Sequence, residues 1–408
     1  MSSSCSSLLR RRIHLFRLRP FHSFIQQRPR PLSVATSSSS PDSFTVNFLT
    51  TQCNFPLPAA LTVARALRID ESSTDKPLAV VSLLRSHGLS PSHVARLVAQ
   101  RPVVLLSRPE RTLAPKLRFL SSFLPPSFVS DLLLICPCLL SRSLQAHIEP
   151  LFSLLRCFLD SPEALFFAAR RGQFLFTCNL QATVAPNIAL LLSSGVRSGN
   201  IAKLLSTHPH CFVVPAARFV EAVNNAISVG VGPGMSLFIY ALRAMLGIRQ
   251  SRWETRSQVF KRLGWSEEEF RIAFQRAPLF VLVSDQKIKK MANFLMKEAQ
   301  LKASDLSRQP KLLMYSLENR LLPRFRVFQV LEAKGMLKNA SENKRNGLII
   351  GMFTCTEGEF VDRYVRRHNT AAPELMGIYN CNIGNKKVYV KKAEGDTVHG
   401  SSEKSISS

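Results

Sequence analysis

The chain has 408 residues, 46% of them hydrophobic, and carries 54 Lys and Arg against 27 Asp and Glu, a formal net charge of +27. That apolar content supports a continuous core. So large a positive excess favours a polyanionic partner, nucleic acid before an anionic membrane, unless the charge only keeps a leucine-rich chain in solution.

The nine cysteines are odd in number and form no Cys-x-x-Cys pair, which argues for reduced thiols rather than a disulfide framework. No uninterrupted apolar run reaches the roughly 18–20 residues of a spanning helix, so no membrane insertion is expected.

Residues 1–40 contain seven Arg, many Ser and no acid. Arg10, Arg11, Arg12, Arg17 and Arg19 interleave with Leu8, Leu9, Ile13, Leu15, Phe16 and Leu18, a pattern for a basic amphipathic helix. This is the composition of an organelle transit peptide. A mitochondrial address is favoured over a chloroplast one because arginine and leucine share one short helix. Residues 41–76 read as an N-terminal cap and linker: Leu61, Val63, Ala64 and Leu67 give one apolar face, and a polar loop follows at 68–76. A helix is expected over 78–84, stopped by Gly88.

From residue 77 to about 370 the chain repeats. Pro102 is followed thirteen residues on by Pro115, Pro137 by Pro150, and Pro310 by Pro323. Gln173/Pro186, Pro209/Ala222 and Pro278/Met291 fall in the same register, and the first members are spaced by 35, 36, 36, 69 and 32 residues. The step of 69 is two periods, so a degenerate unit without an inner proline is expected near residues 244–258, and a last partial one after Asn346. The expectation is an all-α solenoid of about seven or eight units of 32–36 residues. In each, a capped helix of about ten residues ends before the inner proline. A short apolar run follows as a 3₁₀ turn, and the second proline stands near the start of a longer helix. Ser90-Pro91 and Ser161-Pro162 suit N-cap and first helical position, and Ser266 with Glu269 has capping-box spacing. Residues 382–392 are strand or coil, and 371–408 are expected to be a flexible basic tail.

The repeated phrase reads Pro102-Val103-Val104-Leu105-Leu106, Pro115-Lys116-Leu117-Arg118-Phe119-Leu120 and Pro209-His210-Cys211-Phe212. With its period of about 35 behind a transit-like leader, it resembles the mitochondrial transcription termination factor (mTERF) family, in particular its plant branch. The resemblance implies a curved solenoid of helix–helix–3₁₀ units whose basic concave face holds double-stranded DNA or, in some members, organellar RNA. It implies a non-catalytic, monomeric regulator of transcription, acting with or against the organellar transcription machinery. Splicing or ribosomal RNA maturation is the RNA alternative, and a protein-binding scaffold is the alternative outside nucleic acid.

The candidate nucleic-acid contacts are basic clusters in the C-terminal half: Arg249, Arg252, Arg256, Lys261 and Arg262; Lys287, Lys289 and Lys290; and Arg320, Arg324 and Arg326. Recurrence along a solenoid would place them at intervals that track phosphates. The alternative is that each is a solvated helix face. Trp253, Phe260, Trp265 and Phe270 interleave with this charge and are expected to pack between repeats rather than stack on bases. His208-Pro209-His210-Cys211 lacks the second ligand pair of a tetrahedral metal site, and Cys136-x-Cys138 fails likewise. No catalytic constellation stands out, and neither a metal nor a cofactor is expected.

Overall fold

The computed structural model describes residues 43–248, 250–337 and 341–380. The leader at 1–40, Arg249, the segment 382–392 and the tail beyond residue 380 lie outside these residues. Over the described residues the chain is helical and contains no β-strand, so the expected all-α repeat architecture holds. Helices Ser43–Gln52 and Leu57–Ala64 precede the array, and Asp75–Ser86 leads into it.

The first repeat shows how sequence makes the unit. Ser90 caps the helix Pro91–Gln100 by accepting the amide of His93. Val94, Leu97 and Val98, one helical face, are fully buried. Pro102 then forces its predecessor out of the α region, and Arg101 stands at φ −146°, ψ 76°. Cys136, His208 and Gln309, each before an inner proline, adopt the same extended-φ corner. Where Gln173 replaces the proline, Gly172 makes the corner instead, at φ −106°, ψ 38°. The 3₁₀ turn that follows buries two apolar side chains: Val104 and Leu105, Leu139 and Leu140, or Leu312 and Leu313. Full burial of each is worth about 1.5–3 kcal/mol.

The second proline stands near the start of its α-helical stretch, as expected, but a π turn precedes it in the same helix. Pro115, Pro150, Pro186 and Pro323 each occupy the first turn of an α-helical stretch that continues from a π-helical turn: Pro109–Leu113, Leu144–Ile148, Leu180–Val184 and Leu317–Leu321. In each case the residue before the proline donates its amide five residues back, as Ala114 does to Pro109. A proline inside a helix clashes with the carbonyl four residues earlier and offers no N–H. Widening the preceding turn to π relieves both. Where the register places Ala222 instead, the helix Ala216–Ser228 runs as unbroken α; where it places Met291, Asp285–Asn293 is α through that residue and a π turn follows only at Phe294–Glu298.

Four of the second helices close on glycine. Gly195, Gly230, Gly264 and Gly335 have φ between 65° and 94°, as does Gly88 after Asp75–Ser86. The following residue's amide returns to the helix, for example Val196 to Leu191 and Val231 to Ala226 at 2.9 and 3.0 Å. This is the Schellman closure that only glycine makes without strain. Eight helix pairs follow from Pro91 onward among the described residues, the eighth pairing Glu342–Thr354 with the short Glu357–Phe360. The degenerate fifth pair, Phe238–Gly247 and Gln250–Lys261, has no 3₁₀ turn between its helices.

The chain divides into two compact bodies. The first runs through Thr255 and includes Ala277–Leu282; the second comprises Arg256–Arg276 and the chain from Val283. In the first, Phe119, Phe152 and Phe176 link three successive repeats with ring centroids 6.1 and 5.9 Å apart. In the second, Phe294, Phe325 and Phe353 do the same at 5.5 and 6.4 Å. The segment from residue 371, expected as part of a flexible tail, holds a helix where it is described. Leu375–Asn380 is a helix with Leu375 and Tyr379 buried, and Tyr379 donates its hydroxyl to Glu357 at 2.5 Å.

Candidate nucleic-acid interface

Five of the eight second helices carry a polar side chain that crosses to the next repeat and donates to backbone carbonyls there. Lys116 reaches the carbonyl of Leu140. Asn187 reaches Phe212 and Val214 at 3.1 and 2.9 Å, and Arg218 reaches Met245 and Ile248 at 2.8 and 2.5 Å. In the second body, Lys287 reaches Met314 at 2.8 Å. Arg320 donates to Phe353, Thr354 and Cys355 at 2.9, 3.1 and 2.8 Å. Arg324 donates to Met352 and Cys355 at 2.9 and 2.8 Å and to the Glu357 carboxylate at 3.1 Å. The acceptors close helices and 3₁₀ turns, whose last carbonyls lack partners within the element and carry partial negative charge. A cation or amide from the preceding repeat satisfies them and fixes repeat-to-repeat register. Burial pushes the Lys116 ammonium below its usual pKa, the sign expected of a group held inside for structure.

This ladder divides the predicted basic residues. Arg324 is fully buried, with 0% relative exposure, and is no phosphate contact. Arg256 is buried as well and paired with Asp285. Lys287 and Arg320 are half-buried and committed to carbonyls. Lys290 is exposed but paired with Glu318, whose carboxyl it holds below the usual range. Arg326 is exposed. Arg252, Lys261, Arg262 and Lys289 are exposed and make no ion pair among the described residues. On Asp285–Asn293, Ile288, Met291 and Ala292 face the core, leaving Lys289 on the exposed flank of the helix.

The ladder residues Lys116, Asn187 and Arg218 are absent from the sequence-based set. Lys116, Asn187 and Arg324 each follow the second proline, while Arg218 and Lys287 stand four residues before the second-proline site and Arg320 three. A repeat alignment read column by column separates them from cations outside those columns.

Three of the four aromatic residues pack as expected, and Trp253 is half-buried. Phe260, Trp265 and Phe270 are buried, with Phe260 4.6 Å from Trp265 and 5.6 Å from Phe270 between ring centroids. Ser266 and Glu269 make the expected capping box, with reciprocal bonds of 2.8 and 3.1 Å. His208 and His210 lie 5.7 Å apart between rings. Burial, and then the nearby Arg243, pushes His208 down to about 4, and the same causes lower His210. Cys136 and Cys138 approach to 3.1 Å between sulfurs, and burial pushes the Cys136 thiol up to about 12. No cluster of three or more metal-ligating side chains occurs among the described residues, and none of their helices is long and apolar enough to cross a membrane.

A search of curated proteins finds no match. The mTERF family matches twice in tandem, over residues 81–235 and 235–361. The two matches span the helical repeats, their inner-proline turns and the cross-repeat ladder. mTERF proteins are organellar helical-repeat proteins whose general role is non-catalytic nucleic-acid binding in gene expression. On the extent of that match and the repeat architecture beneath it, the chain belongs to the mTERF family.

Proposed function

We propose that this protein binds double-stranded DNA in the mitochondrion and acts on transcription or its termination. It would do so as a monomer, by obstructing or repositioning the organellar polymerase on the duplex. The observation that carries the reading is what remains after the ladder is subtracted. Lys261, Arg262 and Lys289 in the second body, and Arg252 in the first, are exposed cations without a structural partner among the described residues. Their contact with phosphates would be electrostatic and largely indifferent to sequence.

The test is binding to duplex DNA and to structured RNA across a salt series. Duplex DNA is expected to bind tighter, with log K falling against log salt by about 0.9 per neutralised phosphate. Tighter binding to RNA would move the function to splicing or ribosomal RNA maturation. No binding to either, or a flat salt response, would leave a protein-binding scaffold. A reporter carrying residues 1–45 is expected in mitochondria; a cytosolic signal would overturn the address.

A further inference from the structure

In the first body, an open cleft of about 380 Å³ lies where the second helix of the first repeat meets the 3₁₀ turn of the second. Its polar lining is Ser107, Arg108, Arg111, Thr112, Lys116 and Ser141. That is three cations and three hydroxyls, with no carboxylate. Arg108 and Arg111 are exposed and make no ion pair among the described residues. Lys116 is fixed at the cleft by its bond to the carbonyl of Leu140, another lining residue. The hydroxyls of Thr112 and Ser141 donate to the carbonyls of Arg108 and Cys138 at 2.6 and 2.7 Å. Charge for recognition therefore comes from the two arginines and the lysine.

The repeat register makes Arg108 conspicuous. In four other repeats the same position, seven residues before the second-proline site, holds Ser143, Asn179, Ser284 or Ser316. Each accepts the amide three residues on, at 3.1–3.3 Å. Arg108 caps nothing. Arginine there forgoes the cap and sets a positive charge at the positive end of the helix, both unfavourable in the free protein. A bound anion would reverse both penalties and accept the planar guanidinium fork.

We infer that this cleft binds one phosphate group of a nucleic-acid backbone, with Arg108 and Arg111 as its ligands and Lys116 as a fixed neighbouring charge. The assignment rests on the nucleic-acid reading above, and it places a contact far upstream of the C-terminal clusters.

The test compares wild type with Arg108→Ser and with the double variant Arg108→Ala, Arg111→Ala. Each is assayed for duplex DNA affinity across a salt series and for melting temperature, with inorganic phosphate against chloride at equal ionic strength as a second arm. The double variant is expected to lose about tenfold or more in affinity and about one unit of salt slope. Arg108→Ser restores the cap, so its melting temperature should rise by a few degrees while its affinity falls. Unchanged affinity and slope in both variants, with wild-type binding still salt-dependent, would overturn the cleft and leave the general reading intact. A wild type that binds no nucleic acid would overturn the reading beneath it. A phosphate-specific rise in wild-type melting temperature, abolished in the double variant whose nucleic-acid slope is unchanged, would reassign the cleft to free phosphate.

Discussion

Arg324 and Lys289 lie on the second helices of successive repeats and carry the same charge, yet they face opposite environments. Arg324 is enclosed and satisfies carbonyls at the end of the following helix; Lys289 projects into solvent. Arg324→Met keeps most of the volume but strands those carbonyls. It should cost about 3 kcal/mol in urea unfolding, and a loss below about 1 kcal/mol would mean the carbonyls find water. Lys289→Ala should move stability by less than about 0.5 kcal/mol while reducing the salt slope of duplex binding by about one. A Lys289 variant that unfolds early without changing that slope would show a structural residue instead. This contrast marks how far the site was legible. Composition showed that cations were in excess, and clustering showed where they concentrate. Neither distinguishes Arg324 from Lys289, because the partner of Arg324 is a backbone carbonyl about thirty residues away. Backbone acceptors leave no signature in the side-chain sequence.

At the scale of the element, the inner-proline turn was almost fully readable. A proline restricts its predecessor, and the two apolar residues after it have nowhere to go but inward. The π turns were not read, although at four of them a single residue, the second proline, accounts for the widening. The relevant clash is between a proline ring and a carbonyl inside a helix, and sequence spacing suggested a helix start at that point. The structure supplies its own control in Ala222, whose helix is unbroken α; the helix of Met291 is α through that residue and widens only after it, at Phe294–Glu298. Ala222→Pro therefore poses a clean question. If the turn before it stays α, the proline should cost about 3 kcal/mol. If the helix Ala216–Ser228 can widen as its neighbours do, the loss should be much smaller, and amide exchange should show newly unprotected N–H groups near Arg218. Arg218 makes this discriminating, since widening the turn would rotate it away from the carbonyls of Met245 and Ile248. Loss of that bridge would appear as faster exchange in the following repeat.

At the scale of the whole molecule, one titration reads the fold alone and a second carries opposite signs for fold and ligand. The first is pH. His208 is held down to about 4 in the folded chain by burial and by Arg243, against about 6.5 when unfolded. The unfolded state therefore binds more protons throughout that interval, and stability should fall as pH drops from about 6.5 towards 4, with no contribution above it. His210 and His147, also lowered by burial, add in the same direction. His208→Gln should flatten the curve between those values, and an unchanged slope would place the proton uptake elsewhere. The second titration is salt. A net charge of +27 repels itself, and added salt screens that repulsion. The same salt competes with cations for phosphates. Raising salt from about 50 to 200 mM should therefore raise the melting temperature of the free protein while weakening duplex binding steeply. The ladder predicts which half of this behaviour each substitution alters. Removing Lys289 or Lys261 should shrink the salt dependence of binding and leave that of folding nearly intact. Removing Lys287, whose ammonium is tied to Met314, should lower the melting temperature at every salt concentration and leave the slope of binding unchanged. If Lys287→Ala and Lys289→Ala behave alike in both titrations, the division of this protein's cations between holding repeats together and holding a ligand is wrong.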